Sequence, residues 1–432
     1  MRHRLSVLVV LVASVATVYP LGSRLLFAQR GAALDVSTAA VPGEKGGQDI
    51  FGPYEPDATW PRPLSDLPGH QGWTFGAGQS IFAESPDRVF VLQRGELPEL
   101  PAANTFTTQT VAPSIVFPIF RMPLRDTTVA SMPTNGATGV VVETAVEHWK
   151  ARGYREGVDA RWEHCILVLD SKGGVVESWT QWDSLLQLPH YIAINPYDPE
   201  KHVWIVDDHK HVIHKFTHDG KTKVMTLGTY GVAGADQTHF NRPTFLDWFP
   251  DGSFVVADGY YGTRVVKFDK DGRYLAAWGE KSTSSEDLRP SHFNNVHGIA
   301  IDPKTRRVFV NDRGNHRIQV FDERGTFLNQ WTTGNAFSDV HLIHITSDGF
   351  LWGADRGTSK VMKYDLDGQY LYGWGTFGDF PGGFWGIHGM SVDQQGNFYV
   401  AEVGNGGVQK FRPRRGANPA FLMGQPIRSA WR

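Results

Sequence analysis

The sequence predicts an all-β fold, a six-bladed β-propeller, from three observations. A strand-turn-strand unit recurs: VIHKFTHDGK at 212–221, VVKFDKDGRYL at 265–275, IQVFDERGTFL at 318–328, VMKYDLDGQYL at 361–371, and VQKFRPR from Val408. Its aromatic anchors Phe216, Phe268, Phe321, Tyr364 and Phe411 follow one another at 52, 53, 43 and 47 residues, a period that suits four-stranded blades. Segments with the periodicity of a long amphipathic helix are scarce.

The elements follow in order. Arg2 and Arg4 precede an uncharged apolar run at 5–18, then Pro20, Gly22 and LLFAQ. That is a signal-peptide profile over 1–28, too short for a confident membrane span, with an uncleaved N-terminal membrane anchor as the alternative. Export to a periplasmic or extracellular location is the expectation. Residues 29–70, rich in Gly, Pro and Ala, read as a linker. The propeller is expected over 71–415 and a C-terminal tail over 416–432.

The first blade is degenerate: IFAESPDRVFVLQRG at 81–95 resumes, after an insertion over 96–163, as ILVLDSKGGVVESW at 166–179. A short helix is expected near 142–152, and so long an insertion on a rigid scaffold often shapes a binding face. Each later blade opens with one strand (HYIAIN at His190, PTFLDW at Pro243, HGIAID at His297, HLIHIT at His341, HGMSVD at His388). A buried strand follows, VWIVDD, FVVADG, VFVNDRG, LWGADRG or FYVAEVG, and then an Asp-Gly or Arg-Gly hairpin. Asp269, Asp271, Asp365 and Asp367 read as turn residues capping those hairpins.

With 432 residues, 41% of them hydrophobic, and 47 glycines, the chain can build a sizeable core with many tight turns. A net charge of −3 argues against nucleic acid as a partner, because that needs a basic face. Cys165 is the single cysteine, which excludes an intramolecular disulfide and CxxC chemistry. A monomer is expected.

His190, His297 and His388 open equivalent strands in blades two, four and six. Successive blades of a six-fold ring are rotated by about 60°, so these three stand roughly 120° apart and aim at one axial point. Three imidazoles with an open position suit zinc, copper, iron or nickel. For any one histidine taken alone, a hydrogen bond inside the channel is the plainer reading. His341 occupies the same register in blade five, as a polar wall residue, a fourth ligand or an acid/base group. Arg94, Arg313 and Arg356 lie at similar inner positions, suited to gripping a carboxylate. Their alternative is pairing of Asp312 with Arg313 and of Asp355 with Arg356 to support the turns. Tyr260, in ADGYYGTR, is a base at neutral pH only if cations lower its pKa from about 10; otherwise it packs on the ring surface. His209, His211, His214 and His218 crowd the blade-two hairpin and read as an exposed polar strand edge rather than a metal site.

Taken in order, LPHYIAIN, RPTFLDW, VADGYYGTRVVKF, WGEKS, VHGIAID, VNDRGNHRIQVF and IHGMSVD resemble the peptidyl-α-hydroxyglycine α-amidating lyase family, six-bladed propellers of NHL repeats. The match runs from about Ile81 to Phe411 and is most specific over 241–321. The resemblance implies Zn2+ on His190, His297 and His388, a catalytic Tyr260, and active-site arginines Arg94 and Arg313. It also implies a substrate that is a peptide or small molecule with a carboxylate, a peptidyl α-hydroxyglycine split into amide and glyoxylate. No stretch resembles the copper-monooxygenase half of bifunctional relatives.

Several positions depart from the family. Gly389 stands where it places an aspartate calcium ligand, so calcium is not expected. Gly386 replaces a methionine, Tyr261 a cysteine, and His341 an apolar residue. Two other readings stay open: a non-catalytic NHL module binding protein or glycan, and a different metal-dependent lyase or hydrolase acting on a small carboxylate.

Overall fold

The computed structural model describes residues 51–99, 155–284, 287–334, 337–404 and 406–431. The expected leader, most of the linker, the middle of the insertion and its short helix lie outside the described residues. Ala39–Arg432 form one compact unit.

Among the described residues, six four-stranded antiparallel sheets follow one another in the expected order. Blade one holds Trp73–Ser85, Arg88–Pro98, Ile166–Leu169 and Val175–Ser178; blade two holds Pro189–Ile194, Val203–Asp207, Val212–Phe216 and Lys223–Leu227. Blade three runs from Pro243–Trp248 to Tyr274–Trp278, blade four from Val296–Ile301 to Phe327–Thr332, and blade five from Val340–Ile345 to Tyr370–Trp374. The fold is therefore an all-β six-bladed propeller. Its second strands read as continuous apolar runs because both faces are covered: all five residues of Val203–Asp207, Phe254–Asp258, Val308–Asp312, Leu351–Asp355 and Phe398–Glu402 are buried.

Blade six is built from Ile387–Val392, Phe398–Glu402 and Val408–Pro413, and its fourth strand is Tyr54–Pro56 from the other end of the chain. This corrects the expected linker over 29–70, which gives way at Tyr54. Three residues carry no periodicity to read, yet Tyr54 is 1% exposed, packing on Trp374 and Phe398 with ring centroids 5.5 and 5.4 Å away. The strand completes blade six from the other end of the chain and so closes the ring.

The C-terminal segment is likewise no loose tail. The Met423 N–H donates to the Tyr54 hydroxyl (2.9 Å), and Arg428 donates to the carbonyls of Ala83 and Val392, joining blades one and six.

Neighbouring blades lock through the hairpin glycines. Gly325 and Gly368 have φ of +87° and +92°, and a Cβ there would lie 2.6 and 2.4 Å from ring carbons of Trp278 and Trp331 at the ends of the preceding blades. Only glycine meets both the left-handed backbone and the missing space. As expected, Asp269 and Asp365 cap their hairpins, each accepting two backbone N–H groups. Asp271 and Asp367 instead face Lys270 and Arg307.

Candidate metal centre

The inner strand of each histidine-bearing blade carries a bulge at its histidine. In blade two Pro189 faces Asp207 and Tyr191 faces Val206, which leaves His190 as the extra residue. Blade six does the same with His388, blade five with His341, and in blade four the shift between Val296 and Ile299 brackets His297. A bulge re-aims one side chain, here toward the axis.

His190, His297 and His388 meet there. All are buried, with ligand atoms within 4.8 Å of one another. Their ring centroids are 4.6 Å (His190–His388), 5.0 Å (His190–His297) and 5.4 Å (His297–His388) apart.

Each ring is oriented by the next blade. His190 Nδ1 donates to the Thr244 carbonyl (3.0 Å), His297 Nδ1 to that of His341 (2.5 Å), and His388 Nδ1 to that of Gln79 (2.7 Å). A carbonyl can only accept, so Nδ1 carries the hydrogen and the Nε2 lone pair is left for the axis. Burial, then the neighbouring histidines and arginines, hold His190 and His297 well below the ordinary imidazole pKa, and burial brings His388 to about 3. Three neutral, pre-oriented nitrogens fit a zinc-class cation. Phe245 closes one side, its ring 5.2, 5.3 and 6.1 Å from those of His190, His297 and His388.

Tyr260 stands on the site, not on the ring surface. Its hydroxyl is 3.1 Å from Nε2 of both His190 and His297. Its loop is pressed close: a Cβ at Gly259 would lie 1.7 Å from the Val296 carbonyl, and the N–H groups of Gly259 and Tyr260 both donate to the Arg242 carbonyl. Burial raises the phenol pKa and outweighs the opposing charges of Arg313, Arg242 and Arg94. Burial by itself therefore favours the protonated phenol.

Arg94 is 5% exposed, with Nε 3.4 Å from the carbonyl of Pro189, the residue before the first histidine. Arg313 donates to Asp339 through Nε (2.5 Å) and Nη2 (3.3 Å) and also hydrogen-bonds Tyr260. The turn pairings suggested for Arg313 and Arg356 do not form among the described residues. Asp312 takes Arg317 instead (2.8 Å), and Asp355 accepts the backbone N–H groups of Asp339, Gly357 and Thr358.

His341 lies beside the trio, its ring 4.9 Å from His297, but outside the group of converging ligand atoms. The reason is orientation. Its Nδ1 bonds the Asp339 carbonyl of its own blade (3.2 Å) rather than a carbonyl of the next. Its ring lines the wall beside the trio. At Gly389 a Cβ would meet Ser80 Cα at 2.8 Å and Ile81 N at 2.9 Å, so the slot takes no side chain and no carboxylate can be offered to calcium from there.

Two residues here escaped the sequence reading. Arg242 stacks over the Tyr260 ring (4.3 Å) and pairs with buried Asp208 (2.7 Å). Phe245 forms the floor. The available signal was an arginine directly before Pro243, where blade two has Leu188 before Pro189. The blade-two histidines were also misread: His209, His211 and His214 are 2%, 3% and 0% exposed. His211 Nδ1 accepts the Arg242 N–H, and His218 reaches Glu84.

A family model described as "NHL repeat" matches residues 293–321. The chain is 29% identical over 271 residues to Peptidyl-glycine alpha-amidating monooxygenase A of Xenopus laevis, across 60% of this chain and 28% of that protein. It is 28% identical over 281 residues to Peptidyl-alpha-hydroxyglycine alpha-amidating lyase 1 of Drosophila melanogaster, across 60% of this chain and 51% of that protein. With NHL repeat-containing protein 3 of Mus musculus it shares 29% identity over 280 residues, across 59% of this chain and 75% of that protein. The matched region thus spans about half or less of either amidating relative. The chain is a six-bladed β-propeller that matches an NHL repeat over residues 293–321. Its sequence is similar to the peptidyl-α-hydroxyglycine α-amidating lyases.

Proposed function

We propose that the propeller is a metal-dependent carbon–nitrogen lyase that splits a peptidyl α-hydroxyglycine, or a related carboxylate, into an amide and glyoxylate. The observation that carries this reading is the position of the Tyr260 hydroxyl, 3.1 Å from two inward-facing imidazole nitrogens and ringed by three guanidinium groups. His190, His297 and His388 would hold the cation, zinc by donor set. When bound, it supplies Lewis acidity toward a substrate oxygen and favours the phenolate.

The chain's own residues do the rest. Arg94 binds and orients the carboxylate, while Arg313, held by Asp339, hydrogen-bonds Tyr260 and favours its phenolate. Tyr260 takes the hydroxyl proton, the freed electron pair forms the aldehyde C=O, the carbon–nitrogen bond breaks, and the departing amide nitrogen takes up a proton. Electrons balance without a redox partner. Arg242 holds the phenol ring, and Phe245 keeps water from the far side of the trio.

The test is glyoxylate release from a synthetic α-hydroxyglycine peptide by metal-loaded protein, with Tyr260→Phe as control. Release that the substitution abolishes supports the lyase. A second reading, a non-catalytic module binding protein or glycan, rests on the overlap with a relative named for its repeats alone; a metal-free ring without turnover supports it. Export through the N-terminal segment, with or without membrane anchoring, and a monomeric state complete the proposal.

A further inference from the structure

We propose a second divalent-cation site, independent of the axial trio, at the base of the blade-one insertion, formed by His70, Glu96 and His164 with Glu163 at its open side. Ligand atoms of these four residues lie within 4.8 Å of one another. The Glu96 side chain is fully buried and bridges the two imidazoles, Oε1 2.7 Å from His164 Nδ1 and Oε2 3.0 Å from His70 Nδ1. The two rings stand edge to face with centroids 4.5 Å apart. Two histidines and a glutamate are a zinc donor set, and Glu163 or water completes four-coordination.

The backbone holds this cluster in place. His164 sits at φ +57°, a left-handed conformation unusual for a residue with a Cβ. Its N–H donates to Asp183 Oδ2 (2.9 Å) and its carbonyl accepts from Gln93 Nε2 (2.9 Å). Strain maintained by surrounding bonds is a feature of functional positions. Glu96 exchanges both backbone hydrogen bonds with Arg161 (2.7 and 2.9 Å), so the outgoing and returning ends of the insertion are joined at the cluster. Glu163 brings a second carboxylate within reach of the same point. Access is open, because His70, Glu163 and His164 line a cavity with Trp162, Thr180 and Ser184.

A cation there ties three separate stretches: the approach to the ring at His70, the strand end at Glu96, and the return of the insertion at 163–164. Fixing the ends of a long loop restricts its open conformations. The site would fix Glu96 and residues 163–164 to each other and to His70.

The experiment strips the full chain of metal, reloads it with Zn2+ or Co2+, and counts equivalents in the parent, Glu96→Gln, His70→Ala and His297→Ala proteins. Far-UV circular dichroism checks folding. The expected result is two equivalents in the parent and the loss of one in Glu96→Gln and His70→Ala. His70 lies in a turn and is partly exposed, so His70→Ala decides the matter if Glu96→Gln does not fold. Retention of the parent stoichiometry in His70→Ala or in folded Glu96→Gln overturns the proposal. So does a parent that binds one equivalent lost in His297→Ala, or none. A single equivalent lost in His70→Ala but kept in His297→Ala upholds this site and removes the axial one.

Discussion

The Tyr260 hydroxyl is 3.1 Å from His297 Nε2 and equally 3.1 Å from His190 Nε2. These nitrogens come from blades two and four, while the phenol comes from the blade between them. Because each Nδ1 is committed to a backbone carbonyl, both Nε2 atoms can only accept, and one hydroxyl hydrogen cannot serve both. The arrangement leaves one lone pair unanswered beside the phenol, at the point where the third imidazole also arrives.

Tyr260→Phe keeps the ring under Arg242 and removes only the oxygen. The expected outcome is a fall in kcat of roughly 10²- to 10⁴-fold, the usual contribution of a positioned acid/base group, with unchanged metal content. Steady-state glyoxylate assays and elemental analysis check it. Full turnover in the variant would remove the phenol from the mechanism.

Arg94 is expected to act on the substrate carboxylate. For Arg94→Ala, loss of a charged hydrogen bond of about 1.5–3 kcal/mol corresponds to roughly a tenfold to hundredfold drop in kcat/KM. A methyl-ester substrate should lose much less. Equal losses on acid and ester would assign Arg94 to support of the Pro189 carbonyl instead.

Gly368→Ala places a Cβ 2.4 Å from the Trp331 ring at φ +92°. The backbone strain alone costs about 1–3 kcal/mol, so the unfolding midpoint in denaturant should fall with the slope unchanged. A neutral effect would show that these blades do not lock through the hairpin glycine.

Acid sensitivity should centre on Glu84, which receives His218 (2.7 Å), Lys201 (2.8 Å) and Arg88 (3.2 Å). Burial pushes its carboxyl up, but the bonds from His218 and Lys201 win and bring it to about 2 from an ordinary 4.5. A depressed carboxyl pKa stabilises the fold above the unfolded value and loses that contribution as pH falls from 4.5 toward 2. His218 and Lys201 are about a third exposed, so screening limits the effect to about 1–2 kcal/mol. In Glu84→Gln the slope of stability against pH over that window should flatten; an unchanged slope would place the sensitivity elsewhere.

The parts visible in the sequence were those the repeat carries. Phe216, Phe268, Phe321, Tyr364 and Phe411 marked the blades because each must fill the same buried slot, and His190, His297 and His388 stood out because they share a register. What the sequence hid lies between blades. The carbonyls of Thr244, His341 and Gln79 orient the imidazoles, and a backbone atom leaves no residue-type signature. Arg242 and Phe245 reach the site from a blade without a ligand of its own. Arg313 pairs with Asp339 in the following blade, so inspecting its neighbour Asp312 suggested the wrong partner. The strand Tyr54–Pro56 is too short for period-two alternation, and only ring closure gives it meaning.

The central claim is that three imidazoles from alternate blades share one cation. Anomalous diffraction at the zinc absorption edge, on crystals of zinc-loaded protein, tests it most directly. The expected result is a peak at about 2.0–2.1 Å from Nε2 of His190, His297 and His388, beside the Tyr260 oxygen. No peak on the axis, or one bonded to fewer than three of these nitrogens, would contradict it.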